Sequence, residues 1–419
     1  MKTDPREQLQ TESVNTFLGG NKNNSMIIPT GSGKSLICIK ILKELNPTNI
    51  LLLTNSQELR DNNWKAEFNK WGYKWEGITS ECYQTAYKPE WQNKKWDIII
   101  YDEVDFALSE QYQSVFTIPS TFKLGLTGFC PEGKREMLNK YLPIVFEAHT
   151  KDLQDSGSLN KSEFIFVEFP LNKGKTLEQV NRKTGAKFLV SENDQYKYYD
   201  REFQKAMIVK SSIEKKYRMM NINPEAQKDY VGAKWKFMST ATKRKSILNN
   251  LDSSITVTKN LVSLIHLKPG NKIVIFSAVT KQADKLFNPY HGKSSEDVTL
   301  ESLNLGTINT LSVCKKISRG VNLVGVNYII KESFDGGETD FVQTHGRLMR
   351  LRPDQVGKYI ILVPFYEDLV RSDNGVMKSM VIPTQANIWS KKMMQSFEIS
   401  KESVIRLDNT LQIPNNNLI

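Results

Sequence analysis

No stretch of the 419 residues approaches the ~18 consecutive apolar residues that a membrane span requires, so no transmembrane helix is expected. Cysteine is sparse: Cys38, Cys82, Cys130 and Cys314 lie far apart, with no Cys-x-x-Cys pair and only four histidines in the chain. That argues against a structural zinc site and a disulfide framework, and for a reducing compartment. The first residues, Met1-Lys2-Thr3-Asp4-Pro5-Arg6-Glu7, lack the apolar stretch of a secretory signal, so a cytoplasmic location is expected. Internal repeats are absent. Hydrophobic content of 39% and charged content of 25% are globular values, and the length calls for two or three domains rather than one core.

Acid is scarce in one place. Net charge is +11, and residues 201–250 hold 12 Lys and Arg against 4 Asp and Glu, so this segment contributes +8 and the remainder +3. A concentrated basic segment is the footprint of a polyanionic partner. Here the lysines interleave with Tyr217 and Trp235, which suits backbone tracking combined with base stacking.

What the chain does contain is a phosphate-binding turn. Residues 28–35 read Ile-Pro-Thr-Gly-Ser-Gly-Lys-Ser, between a short apolar strand (Ser25–Ile28) and an apolar helix opening at Leu36. Gly31 and Gly33 permit backbone angles closed to other residues. The N–H groups of Thr30, Gly31, Ser32 and Gly33 then line an anion site at a helix start. Lys34 would reach the β- and γ-phosphates of ATP, and Ser35 would bind Mg²⁺. Ile28 stands where the general pattern has its first Gly. Some 70 residues on, Asp102-Glu103-Val104-Asp105 follows the buried strand 97–101 directly. It lies at the carboxyl end of a parallel strand, where open α/β sheets bind ligands. Asp102 would hold Mg²⁺, and Glu103 would orient and deprotonate the attacking water.

Around these motifs, short apolar strands alternate with helices: strands near 49–54, 96–101 and 122–128, with an amphipathic helix over 57–71 presenting Leu59, Trp64 and Phe68. Trp64, Trp71 and Trp75 fall at near-helical spacing and are expected in the core. Strand signals fade between about 171 and 255. A second α/β pattern begins with a helix at 255–267 and strands near 272–277, 310–314, 328–330 and 359–363. The last 45 or so residues suggest a helix or two. In the second half, Gln343-Thr344-His345-Gly346-Arg347-Leu348-Met349-Arg350 places Arg347 and Arg350 one helical turn apart. Such a pair can stabilise charge on a transferring phosphoryl group.

Taken in order, these segments resemble the motif series of superfamily 2 helicases and translocases. Residues 29–35 resemble motif I, 102–105 motif II, Leu126-Thr127-Gly128 motif III, 273–277 motif IV, 318–323 motif V and 343–350 motif VI. Gln10-Thr11-Glu12-Ser13-Val14 resembles the glutamine element that contacts adenine, with Gln8 as an alternative. The similarity is nearest to the branch of DNA branch-migration helicases and restriction-enzyme motor subunits.

The resemblance implies two RecA-like parallel-sheet α/β domains. Residues 1–150 would form the first and 256–372 the second, with a basic, mainly helical accessory segment at 151–255 and a short C-terminal extension at 373–419. It implies an ATP-dependent helicase or translocase using Mg²⁺, with Lys34, Asp102, Glu103, Gln343, Arg347 and Arg350 in catalysis. Gln10, the 30–35 loop and Gly320 would contact ATP. Thr54, Asn55, Thr85 and Ser277 would line a nucleic-acid groove, joined from the basic segment by Lys215, Arg218, Lys243 and Arg244. DNA, whether duplex, forked or branched, is the expected partner of a monomer. The Asn- and Lys-rich composition suits a bacterial or phage-infected host cytoplasm. Asp105 for the usual His, Gly128-Phe129 for Ala-Thr and Cys314 for Thr or Ser depart from the family pattern, which favours ATP hydrolysis over efficient strand separation. An RNA helicase and an ATP-gated nucleic-acid clamp stay open as alternatives.

Overall fold

A computed structural model describes residues 4–57, 59–180, 184–219, 224–292, 300–314, 323–333, 341, 344–346, 348, 356–371, 376–396 and 404–414. They group into two compact units, the first chiefly Met1–Ser162 and the second chiefly Glu163–Lys316 with Lys358–Ile419.

The first unit is a six-stranded sheet. Its strands are β1 (Asn23–Ile27), β2 (Ile50–Thr54), β3 (Ile78–Cys82), β4 (Trp96–Asp102), β5 (Ser120–Thr127) and β6 (Ile144–Glu147), in the order β3-β2-β4-β5-β1-β6. Every pairing is parallel. A parallel sheet is covered on both faces, so its central strands β2 and β4 carry near-continuous apolar runs. Ile50, Leu52, Ile98 and Ile100 pack on one side with Met26 and Ile28, while Leu51, Leu53, Ile99 and Tyr101 pack on the other with Ile27. Helix α1 (Pro5–Gly19) and helix α2 (Lys34–Leu45) supply Val14, Phe17, Ile37, Ile41 and Leu42 to the first of these layers.

A π-helical turn at Leu59–Asn63 leads into α3 (Trp64–Lys70), and Leu59, Trp64 and Phe68 are buried as the apolar spacing requires. Trp71 is a correction. It lies past the helix end, 37% exposed, with its indole donating to Glu67 at 3.2 Å. Strand β3 is an addition to the elements the sequence announces, because Ile-Thr-Ser-Glu-Cys carries the polar residues of a half-exposed edge strand.

The second unit holds an eight-stranded sheet. In chain order its members are β7 (Ser162–Pro170), then, after a separate antiparallel hairpin of β8 (Leu177–Val180) and β9 (Lys187–Val190), β10 (Ile273–Phe276), β11 (Pro289–Tyr290), β12 (Thr310–Val313), β13 (Tyr328–Lys331), β14 (Gly357–Arg371), β15 (Met377–Pro383) and β16 (Val404–Arg406). The order is β11-β12-β10-β13-β14-β7-β16, with parallel pairing from β11 through β14. Strand β15 folds back antiparallel on β14. The C-terminal stretch therefore holds strands as well as the expected helix, here Gln385–Ser396. Val404–Arg406 completes the sheet beside β7.

Two long helices, Glu192–Met219 and Pro224–Leu248, pack side by side and bear out a mainly helical basic segment. Buried Glu192 ties the first of them to the helix Asp252–Ile265. Its carboxylate accepts from the backbone N–H groups of Asp252 (2.5 Å) and Ser253 (3.1 Å), the Ser253 hydroxyl (2.5 Å) and the Asn172 N–H (3.1 Å). Negative charge at a helix N-terminus is stabilising, more so when charge-assisted bonds satisfy the whole group.

Candidate nucleotide site

Strand β1 ends at Ile27, and Ile28 continues its register, with its N–H on the Thr127 carbonyl (2.9 Å) and its side chain fully buried. The first loop position is thus still core, which explains an isoleucine where the general pattern has glycine. The chain then turns. Gly31 and Gly33 have φ of 95° and 94°, and α2 starts at Lys34 with Gly33 as its left-handed cap. The Ser32 hydroxyl is buried and has no hydrogen-bond partner among the described residues. An orphan donor inside a loop of this shape is what a phosphate oxygen would satisfy.

Helix α1 lies against the loop. Gln10 is buried, donating through Nε2 to the Ser32 carbonyl (3.4 Å) and accepting from Lys40 Nζ (3.2 Å). Gln8 is exposed, so Gln10 is the glutamine that the fold brings to the loop.

Asp102 and Glu103 arrive at the carboxyl end of β4. Asp102 is buried and accepts the Trp64 indole N–H at 2.8 Å, while its carbonyl accepts the Tyr83 hydroxyl at 2.9 Å. Burial, followed by the Asp102 charge, holds both the Cys38 thiol and the Tyr83 phenol well above their usual pKa ranges. Both groups are thereby held neutral beside the carboxylate. Glu103 adopts φ 52° and ψ 56°, a left-handed conformation uncommon outside glycine, asparagine and aspartate. That turn brings its carboxylate to 3.5 Å from Lys34 Nζ and 3.3 Å from the Thr127 hydroxyl.

Thr127, at the end of β5, also lies 2.9 Å from Asp105 Oδ1. Asp105 is 2% exposed, and its carbonyl accepts Lys134 Nζ at 2.9 Å. Where the family pattern has a histidine, the Asp105 carboxylate contacts residues 126–128 through the Thr127 hydroxyl. Gly128 has its own reason. A Cβ there would stand 2.9 Å from Thr30 Oγ1 and 3.0 Å from Lys34 Nζ. Gly128→Ala is accordingly expected to push the Lys34 ammonium aside and weaken nucleotide binding about ten-fold, an overpacking effect. Thermal unfolding would stay near wild type, because the displaced atoms are side-chain ends. A fluorescent-nucleotide titration checks this; unchanged affinity would show that the methyl is absorbed.

The remaining candidates divide. Thr54 is fully buried and its hydroxyl donates to the Ser56 carbonyl at 3.1 Å, so it shapes its loop instead of facing a partner. Ser277 is also buried, at the end of β10. Asn55 and Thr85 are half-buried, with the Asn55 carbonyl accepting from Gln84 (3.2 Å). Lys215 and Lys243 are exposed. Arg244 is a correction: it is buried, bonded to Asp200 and Gln385 at 2.6 Å each and stacked 3.7 Å from the Phe203 ring centre. Gly320, Gln343, Arg347, Arg350 and the Arg218 side chain lie outside the described residues. The spacing of Trp64 points only to the core; nothing in the sequence pairs it with Asp102, 38 positions on.

Two family models match the chain. Residues 4–132 match the model described as Type III restriction enzyme, res subunit, and residues 256–352 match Helicase conserved C-terminal domain. Over these residues the chain carries the two domains that those models describe. Solved structures agree in fold. The chain superposes over its whole length on 32% of the ATP-dependent Type ISP restriction-modification enzyme LlaBIII bound to DNA, at 12% identity and a TM-score of 0.60. It thus spans about a third of that enzyme's length. A variant of S. cerevisiae Dbp5 bound to RNA and ADP BeF3 aligns with 98% of this chain and 90% of its own, at 12% identity and a TM-score of 0.54. No curated protein sequence matches. The sheets described above are its tandem RecA-like domains.

The first domain's residues fit a nucleoside triphosphate with Mg²⁺. The loop offers an unsatisfied hydroxyl and left-handed glycines to phosphate. Ser35 and Asp102 would be the hard oxygen donors that Mg²⁺ takes alongside phosphates and water.

Proposed function

We propose that this chain is an ATP-dependent DNA translocase or helicase. The observation that carries the ATPase reading is the convergence of Lys34, Glu103 and Thr127 beside the phosphate loop, with Asp102 adjacent. In this reading the loop N–H groups and Lys34 hold the β- and γ-phosphates. Ser35 and Asp102 hold Mg²⁺, which supplies charge neutralisation on the phosphate oxygens. Glu103, held beside Lys34 and the Gly128 N–H, takes the proton of the attacking water. Arg347 and Arg350 are assigned the charge on the transferring group, and Gln10 the adenine.

DNA is favoured over RNA because the first domain matches a restriction-enzyme motor subunit. Of the two neighbours described, one is bound to DNA and the other to RNA. Phosphate release measured without nucleic acid, and with duplex DNA, forked DNA, single-stranded DNA and RNA, tests the reading. Stimulation of several-fold by at least one DNA is expected. Rates identical across all five would overturn the motor assignment, and stimulation by RNA alone would reassign the substrate.

A further inference from the structure

The second of the long paired helices, Pro224–Leu248, has two unlike faces. Ala233, Thr240, Arg244, Ile247 and Leu248 are buried. Opposite them, at the 3.6-residue spacing of one face, stands Trp235, 68% exposed, with Val231 and Met238 beside it at 44% and 49%. Large apolar surface left in water along one helix stripe marks an interaction site when a rim of one charge surrounds it.

The rim here is basic. Exposed Lys234 and Lys245 flank one side of the tryptophan, and exposed Lys236 and Lys243 the other. Between Tyr230 and Leu251 there is no Asp or Glu; the bracketing acids are Asp229, nearly two turns before the tryptophan, and Asp252 beyond the helix end. On the preceding helix, Glu202 feels the charge of Lys236 but is held by Lys205 at 2.9 Å. Beside the indole, one turn back, Gly232 has open space where a Cβ would stand. The indole face is therefore approachable from the helix surface. A flat aromatic ring, a notch next to it and ammonium groups on both flanks match the chemistry of an unpaired base with phosphates on either side. A second copy of the same surface fits poorly, because its lysines would meet these.

We propose that this face binds single-stranded nucleic acid, with Trp235 stacking on a base and Lys234, Lys236, Lys243 and Lys245 gripping the flanking phosphates. The inference rests on the reading of the chain as a nucleic-acid motor and goes beyond it by assigning a strand-selective contact outside the helicase motifs. Lys234 to Lys245 covers about 16 Å of helix, room for a few nucleotides. Stacking needs an exposed base face, so a blunt duplex would engage the lysines alone.

Fluorescence anisotropy of the full chain with labelled oligothymidylate, oligouridylate and a blunt duplex tests this. Trp235→Ala is expected to weaken single-strand binding about ten-fold while changing duplex binding less than about two-fold, and Trp235→Phe to retain most of the affinity. Replacing Lys234 and Lys236 by Gln would weaken both and flatten the salt dependence of single-strand binding by about 0.7 for each phosphate no longer neutralised. Unaltered single-strand binding in Trp235→Ala overturns the proposal, as does equal loss on both substrates. So does self-association that Trp235→Ala abolishes without touching nucleic-acid binding. If nucleic acid stimulates wild-type ATP hydrolysis but Trp235→Ala binds single strands normally, the surface is wrong and the motor reading stands. If the wild-type chain neither binds nor is stimulated, both fall.

Discussion

Lys34→Ala is expected to lower ATP hydrolysis by at least about 10²-fold, the scale on which a preorganised charge donor contributes to a transition state. The loop around it would survive, since its shape comes from Gly31, Gly33 and the burial of Ile28, none of which involves the lysine. The ion pair removed is a long one: Lys34 and Glu103 stand 3.5 Å apart, with 14% and 15% of their side chains exposed. A variant that unfolds near the wild-type temperature yet releases no phosphate is the expected outcome, read by phosphate release and thermal denaturation together. Hydrolysis at the wild-type rate would remove this loop from the mechanism altogether.

The same site shows how far sequence carries. Apolar runs announce β2 and β4, the central strands buried on both faces, while β1 and β5 show only at their apolar carboxyl halves. The glycine pair and the acidic stretch after β4 are legible because chemistry restricts the residue types at those positions. Contacts set by folding are not. Arg244 looks like one more basic residue in a basic segment, and only the fold brings Asp200 and Gln385, 44 and 141 positions away, to neutralise and bury it. Trp64 and Asp102 belong to different elements and meet through the packing of α3 on the sheet. Strand β3 and the β8–β9 hairpin are short and carry polar or exposed residues, so hydrophobic periodicity passes over them.

Two departures from the family pattern have local contacts of their own. Asp105 accepts a hydrogen bond from Thr127. Gly128 clears space for Lys34 that an alanine would fill. Thr127, which Asp105 contacts, lies 3.3 Å and the Gly128 N–H 3.5 Å from the Glu103 carboxylate. The local geometry is thus organised around that one side chain.

Glu103→Gln tests that organisation directly. The amide keeps the shape of the carboxylate, the left-handed turn at 103 and a contact with Thr127, while losing the capacity to take a proton from water. Nucleotide binding is expected to persist or tighten slightly, since a neutral group replaces a negative one near the phosphates. Turnover is expected to fall by about 10²–10⁴-fold, the usual contribution of a positioned general base. The split separates this residue from Lys34, whose loss should weaken phosphate contacts as well as hydrolysis. Single-turnover hydrolysis paired with a fluorescent-nucleotide titration reads both quantities. Retained turnover would leave Glu103 as an ion-pair partner of Lys34 only, and would place the base elsewhere. A parallel fall in binding and turnover would instead show that the carboxylate holds Lys34 in position before ATP arrives, making the 3.5 Å pair a preorganising contact that phosphate then displaces.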